Sequence, residues 1–247
     1  MNYWRRRSTH AEAWAYLDAL QPDLALLQET HPQRETGRNI LWQPIGGRRD
    51  WGSAIVSYGN VNLTPIPAVR LGERRDKEML EDSHPGCVRV AEAGLSNGTA
   101  VTVISIYGLN SDPVRNGIKY ATTTVHRILS DLMPILDVAR AKERRVILAG
   151  DLNVSPQIPQ PNTIHHEIVI KRIKAFGLVD CLGETHDGYV RTYRHRNNPN
   201  STPYQDDWVF ATENLHLISC EAKDEETAWA LSDHCPVIAE FEIPAPI

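Results

Sequence analysis

Short apolar runs that stop abruptly at polar residues recur along this chain, and they limit the folds open to it. Residues 24–28 and 146–149 form such runs, which are typical of strands covered on both faces. Further strands are predicted at residues 53–58, 87–91 and 100–107, with a hairpin turn at Ser96-Asn97-Gly98. Strands in adjacent pairs, mixed with helices, favour an α/β fold with mixed rather than purely parallel sheets and with helices outside two packed sheets.

Helical periodicity accounts for most of the remaining segments. Thr9 and Glu12 have capping-box spacing, and Trp14 and Leu17 follow at helical intervals, which predicts a helix that ends before residue 21. A long helix is predicted over residues 118–141 with a kink at Pro134, and another over 163–176. Strands are expected at residues 189–195, 207–211, 215–221 and 236–243.

Composition bounds the class of protein. A chain of 247 residues with 41% hydrophobic content can bury one large core, so we expect a single domain over residues 1–247. The net charge of -5 provides no global field that would attract nucleic acid, so any contact with a polyanion must be local.

Cysteine usage and hydropathy bear on location. Cys87, Cys181, Cys220 and Cys235 lie far apart without the spacing of a zinc site or a disulfide framework. No stretch reaches the ~18 apolar residues of a membrane span, and the N-terminus lacks the apolar segment of a signal peptide. These features predict a cytoplasmic protein with reduced thiols.

The polar residues that end the apolar runs have the chemistry of a phosphate-ester hydrolase. Glu29 follows a strand, and Asp151 and Asn153 alternate across Leu152, so both of their side chains can enter one crevice. Mg²⁺ prefers such hard oxygen ligands. Near the C-terminus His234 follows Asp233, and an imidazole needs an orienting carboxylate. Asp207 is the candidate partner, and the adjacent Asp206 competes with it.

Taken in order, these fragments resemble the signatures of the endonuclease/exonuclease/phosphatase superfamily over nearly the whole length of the chain. The matching segments are Leu27-Gln28-Glu29-Thr30, Tyr107-Gly108-Leu109-Asn110, Gly150-Asp151-Leu152-Asn153, Asp207-Trp208 and Ser232-Asp233-His234-Cys235-Pro236. The nearest branch by motif is that of exonuclease III and the abasic-site endonucleases. The resemblance implies a DNase I-like, four-layered α/β sandwich in which two mixed sheets are flanked by helices and the site lies at one edge of the sheets.

The resemblance also implies roles for single residues. Glu29 would be the principal Mg²⁺ ligand, with Asp233 in support and Asn2 at a further metal position; Mn²⁺ is an alternative ion. His234, oriented by Asp207, would contact the scissile phosphate or assist the attacking water. Asp151 would position or deprotonate that water, Asn153 would hold the phosphate, and Tyr107 and Asn110 would complete the pocket. Which group acts as the base is left open.

Two departures from the family pattern bear on these expectations. The family's first strand usually ends in Trp-Asn-x-Asn or Trp-Asn-x-Asp, whereas this chain opens at Met1-Asn2-Tyr3-Trp4, which predicts a truncated first strand. Tyr204-Gln205-Asp206 precedes Asp207 where the DNA-repair enzymes usually have a basic residue. The candidate substrate contacts are Arg115, Lys119, Arg194, His195 and Arg196, and Trp229 is a candidate for base stacking.

Three functions therefore stand as hypotheses. The leading one is a Mg²⁺-dependent hydrolase of phosphodiester bonds, an endo- or exonuclease acting on nucleic acid. The second is a phosphatase or phosphodiesterase acting on a small-molecule or lipid phosphate ester. The third is a non-catalytic binding module that retains the fold.

Overall fold

The computed structural model describes residues 7–32, 38–69, 79–109, 121–158, 163–195 and 203–245. In chain order its elements are α1 (Arg7–Ala19), β1 (Leu24–Thr30), β2 (Asn39–Gly46), β3 (Arg49–Ser57), β4 (Asn62–Pro65), β5 (Ala68–Val69), β6 (Leu80–Glu81), β7 (Val88–Gly94), β8 (Ala100–Ile106), α2 (Ala121–Ala141), β9 (Arg145–Asp151), α3 (Thr163–Ala175), β10 (Leu178–Asp180), α4 (Cys181–Thr185), β11 (Asp207–Thr212), β12 (His216–Ala222), α5 (Glu226–Leu231) and β13 (Val237–Glu242).

The larger sheet holds six strands in the order β10-β11-β9-β8-β7-β4. Its pairs are antiparallel except β8 and β9, which are parallel because α2 crosses over between them. A second sheet has the order β1-β3-β2, and β12 pairs with β13. The prediction of mixed sheets is therefore confirmed.

Apolar contacts arrange these elements in layers. One cluster lies between the six-stranded sheet and α2 and α3, and includes Ile104, Ile128 and Ile173. A second lies between the sheets, where Ile55 of β3 meets Val103 of β8. A third joins Trp14 of α1 to the outer face of β1 and β3. Helices thus cover both outer faces of the packed sheets, which is the predicted four-layered α/β sandwich.

Several predicted boundaries need correction. Helix α1 begins at Arg7, two residues before the predicted start at Thr9. Helix α2 runs over Ala121–Ala141 with Pro134 inside it, and residues 118–120 of the predicted helix lie outside the described residues. Residues 189–195 do not form the predicted strand. The Thr192 and Tyr193 amides both donate to the Tyr204 carbonyl and the Arg194 amide donates to the Asp233 carbonyl, so the segment makes isolated bridges instead of a ladder.

Two expectations from composition can be compared with the structure. All four cysteines are buried and none forms a disulfide, as their spacing predicts. Within the described ranges, no helix combines the length and apolar character that spanning a bilayer requires.

Candidate active site

Glu29 reaches the site because strand β1 is irregular at this point. The pairing of β1 with β3 shifts register between Leu27 and Thr30, and Glu29 has a φ of 48°, in the left-handed region. A bulge of this kind redirects a side chain out of the regular alternation of a strand. The Glu29 carboxylate accepts a hydrogen bond of 2.5 Å from the Tyr107 hydroxyl, which comes from the other sheet.

Tyr107 lies directly after β8 and is buried against Trp51, whose ring meets it edge-on at 5.5 Å. Its amide donates to the Cys87 carbonyl at 2.7 Å, which holds the backbone in place. Burial and the nearby carboxylates of Glu29 and Asp151 raise the pKa of Tyr107. The phenol therefore remains a hydrogen-bond donor to Glu29 at neutral pH.

Asp151 is the last residue of the buried strand β9, and Asn153 follows it two residues later. Asp151 is fully buried and lies opposite Asp207 in the pairing of β9 with β11. The Asn153 amide donates to Oδ1 of Asp151 at 2.8 Å, and the Asn153 side-chain Nδ2 donates to Oδ2 at 3.2 Å. Burial raises the pKa of Asp151 to about 7 against the lowering effect of His234, and the charges of Asp207 and Glu29 add to the rise.

His234 forms a hydrogen-bonded pair with Asp207. Nδ1 of His234 lies 2.7 Å from Oδ2 of Asp207, and Nε2 lies 3.8 Å from Oδ2 of Asp151. Burial alone lowers the pKa of His234, but Asp207 and Asp151 outweigh it and raise the pKa to about 10. Burial would also raise the pKa of Asp207, whereas His234 holds it below its usual value. Both groups are therefore charged at neutral pH, with Nδ1–H donating to Asp207.

Thr192 and Tyr193 contact this pair and escaped the sequence analysis. The Thr192 hydroxyl oxygen accepts the amides of Asp206 and Asp207, each at 3.0 Å, and also hydrogen-bonds the Asp207 carboxylate. Because its lone pairs receive two N–H groups, its single proton is directed to that carboxylate. The Tyr193 ring lies 4.9 Å from the His234 ring. Since Thr192 is separated from its partners by 14 and 15 residues, no local motif marks it.

The remaining acids add negative charge. Asp233 is half-buried, and its carboxylate contributes to the raised pKa of His234. Asp206 is buried, and burial together with the charge of Asp151 raises its pKa to about 7. The partner of His234 Nδ1 is Asp207, as the sequence analysis favoured over Asp206.

The donor set fits a divalent cation. Glu29, Asp207 and His234 all act on the pKa of Asp151, and Asp233 acts on the pKa of His234, so these groups share one small region. Hard carboxylate oxygens are the ligands that Mg²⁺ prefers. Ligand atoms of Asp151, Asp207 and His234 lie within 4.8 Å of one another. Glu29 lies close enough to Asp151 for its charge to raise the pKa of that group, so its carboxylate borders the same cluster.

Some predicted contacts lie elsewhere. Asn2, Asn110, Arg115, Lys119 and Arg196 fall outside the described residues. The Arg194 guanidinium lies 3.3 Å from Glu226 and 4.9 Å from the Trp229 ring centroid, so it packs on α5. Trp229 is only 4% exposed and donates to Asp224, which makes the proposed stacking on a base wrong.

Comparison with known proteins identifies the fold. No family model and no curated protein matches the sequence. Among solved structures, an AP endonuclease from Archaeoglobus fulgidus matches with a TM-score of 0.62 and 20% identity, covering 98% of this chain and 97% of that one. The 3'-5' exonuclease from Neisseria meningitidis matches with a TM-score of 0.65 and 18% identity, covering 98% and 97%. The Neisseria protein has also been solved as a 3' phosphatase bound to product DNA hairpin.

A third solved structure bears the name of the superfamily itself. An endonuclease/exonuclease/phosphatase from Beutenbergia cavernae matches with a TM-score of 0.57 and 17% identity, covering 96% of this chain and 67% of that one. These matches confirm the fold that the ordered motifs predict.

Proposed function

We propose that this chain, which has the fold of the endonuclease/exonuclease/phosphatase superfamily, is a divalent-metal-dependent phosphodiesterase that hydrolyses nucleic acid. The observation that supports it most is the arrangement of His234 between two carboxylates. Asp207 binds Nδ1 at 2.7 Å, and Asp151 lies 3.8 Å from Nε2. This places a charged imidazole beside a carboxylate of raised pKa, near Glu29 of the other sheet.

The protonation states suggest how the work is divided. With a pKa of about 10, His234 keeps its proton at neutral pH and serves as a donor to a phosphate oxygen rather than as a base. Asp151, with a pKa of about 7, is the group suited to accept a proton from the attacking water. The Asn153 side chain holds that carboxylate in place through Nδ2 and borders the space in which a phosphate would bind.

The metal site of this proposal centres on Glu29, with Asp233 in support and Asn2 as a further candidate outside the described residues. A bound Mg²⁺ would neutralise charge on the phosphate and polarise it, a contribution of several kcal/mol in the transition state. Tyr107 holds the Glu29 carboxylate by its 2.5 Å hydrogen bond. The Thr192 hydroxyl likewise hydrogen-bonds the Asp207 carboxylate, so the carboxylates of Glu29 and Asp207 are both held in place before substrate binds.

The nucleic-acid substrate is supported by similarity of fold. The Archaeoglobus protein is an AP endonuclease, and the Neisseria protein is a 3'-5' exonuclease that also occurs bound to product DNA hairpin. The net charge of -5 on this chain favours local contacts over a broad basic face.

A panel of substrates tests the proposal. Supercoiled plasmid, an abasic-site duplex, a duplex with a 3'-phosphate, single-stranded RNA and DNA, and small phosphate esters are each incubated with Mg²⁺ or with chelator. We expect metal-dependent cleavage of at least one nucleic acid. Turnover of small esters alone would replace the nuclease assignment with that of a small-molecule phosphoesterase. Inactivity toward every substrate would leave only the hypothesis of a non-catalytic binding module.

A further inference from the structure

Two adjacent residues of β1 reach across to the same neighbouring strand. Gln28 donates from Nε2 to the Ser105 hydroxyl at 3.0 Å, and Glu29 accepts from the Tyr107 hydroxyl at 2.5 Å. Ser105 and Tyr107 are two residues apart, so they project from one face of β8 and its extension. Neighbours in a regular strand point to opposite faces. Gln28 and Glu29 therefore depart from regular strand geometry together.

The departure is the bulge in β1. Leu27 pairs with Ala54 and Thr30 pairs with Gly52, so Gln28 and Glu29 together oppose the single residue Ser53. Glu29 takes the left-handed conformation with a φ of 48°. A non-glycine residue in that region is strained and persists only where its surroundings hold it there.

Gln28 supplies one such restraint from within the core. Its side chain is 1% exposed and Ser105 is fully buried. The Ser105 hydroxyl accepts from Gln28 and donates in turn to the Leu27 carbonyl at 3.4 Å, which returns the hydrogen bonds to β1 itself. Sliding of β1 over the six-stranded sheet would leave a buried amide and a buried hydroxyl unpaired, and such groups are costly to bury without partners.

Gly150 leaves the space that Gln28 occupies. A Cβ at position 150 would lie 2.8 Å from Nε2 of Gln28 and 1.9 Å from the Ile106 carbonyl oxygen. Gly150 immediately precedes Asp151, so the Gln28 side chain lies next to the backbone that carries the Asp151 carboxylate. Gln28 thus lies close to the Asp151 backbone in space and is the neighbour of Glu29 in sequence.

We propose that Gln28 is a positioning residue that sets the distance between Glu29 on one sheet and Asp151 on the other, and thereby the affinity of the site for a divalent cation. The inference rests on the proposed function, since it takes Glu29 as a metal ligand. In this proposal Gln28 acts through its hydrogen bond to Ser105 and not as a ligand.

Binding of Mn²⁺ alone tests the inference without reference to turnover. The affinity of the chelator-treated protein for Mn²⁺ is measured by the electron paramagnetic resonance signal of the free ion, in the wild type, Gln28→Met, Ser105→Ala and the double variant. We expect each single variant to bind Mn²⁺ about tenfold more weakly, the range found when groups that support ligands are removed. The double variant should bind no more weakly than Ser105→Ala, because Ser105→Ala already removes the hydrogen bond from Gln28 together with the one to Leu27.

Thr102→Val is the matched control. Thr102 is 3% exposed on the same strand, three residues before Ser105, so this variant also loses a buried hydroxyl but on the opposite face of β8. Its melting temperature can fall, but its Mn²⁺ affinity should equal that of the wild type. If Gln28→Met does not fold, Ser105→Ala, which removes a single oxygen atom, decides the matter.

The outcomes separate this inference from the proposed function. Wild-type affinity in folded Gln28→Met or Ser105→Ala, with loss of binding in Glu29→Ala, would overturn the role of Gln28 and leave the metal site intact. A wild-type protein that binds no Mn²⁺ would overturn both.

Discussion

At the scale of single residues, the site depends on one imidazole that stays charged despite complete burial. The carboxylates of Asp207 and Asp151 outweigh the burial of His234. The same three groups make the stability of the metal-free protein depend on pH, because each has a different pKa in the folded and unfolded chain.

The sign of that dependence follows from each shift. His234 has a folded pKa of about 10, above the ordinary 6.5, so its contribution is complete below 6.5 and is lost as the pH rises toward 10. Asp151 has a folded pKa of about 7, above the ordinary 3.8, so the stability that it contributes is lost as the pH rises from 3.8 to about 7. Asp207 has a lowered pKa, and its contribution is lost only in acid. Stability should therefore fall from pH ~5 to pH ~9.

Thermal melting of the protein in chelator measures this effect. We expect the midpoint to decrease over that range, and Asp151→Asn to show a shallower decrease between pH ~5 and pH ~7 because the amide does not titrate. Asp137→Asn, at an exposed carboxylate of α2, is the control and should follow the wild type. Parallel curves for wild type and Asp151→Asn would show that Asp151 does not titrate in this range.

Sequence patterns located the charged members of the site better than the neutral residues that hold them. Glu29, Asp151, Asp207 and His234 each belong to a recognisable motif, and the structure brings them together. Thr192 and Tyr193 have no such mark, because they act on groups distant in sequence that only the folded chain brings near.

At the scale of elements, the close approach of three strands requires a glycine at position 150. Gly150 has a φ of 149°, and a Cβ there would meet the Ile106 carbonyl oxygen at 1.9 Å. Backbone atoms cannot move away without shifting β8, so the residue type is set by packing as well as by conformation.

Replacement of this glycine by alanine tests the approach of the strands. Gly150→Ala should lower the free energy of unfolding by at least about 2 kcal/mol more than Gly188→Ala, because overpacking adds to the backbone strain. Gly188 also has a positive φ, of 96°, but a Cβ there meets nothing within 4 Å. Chemical denaturation of both variants gives the comparison, and equal losses would indicate that strain alone governs both positions.

Periodicity predicted the longer elements such as β8, β9 and α3, whereas β2, β4 and α5 were not predicted. The segment 189–195 was misassigned because alternation of polar and apolar residues indicates an extended chain but not its partners. Its amides bond instead to the Tyr204 and Asp233 carbonyls and to the Gln205 side chain. These partners depend on tertiary packing, which a local pattern does not contain.

At the scale of the whole molecule, the candidate site joins two sheets, since Glu29 belongs to one and Asp151 to the other. A cation bound between them would therefore tie the two sheets together. Anything that binds the folded state and not the unfolded one stabilises it by mass action.

Addition of metal should accordingly raise the melting temperature. At a concentration 100 times the dissociation constant, the gain is about 2.7 kcal/mol, or about 5 to 10 °C for a chain of this size. Glu29→Ala should lose most of this increase, whereas Glu92→Ala, at an exposed site on β7, should retain it. An equal increase in Glu29→Ala would remove Glu29 as a ligand.

The central claim, that His234 drives metal-dependent hydrolysis of a phosphodiester, is tested most directly by the single-turnover rate of cleavage of the best nucleic-acid substrate. With Mg²⁺ present, we predict that His234→Ala slows cleavage by at least about 100-fold, the lower end of the contribution expected from a positioned proton donor. His216→Ala, at an exposed histidine of β12, should cleave at the wild-type rate. Chelator should abolish cleavage by the wild type and by His216→Ala. Cleavage by His234→Ala at the wild-type rate would contradict the account.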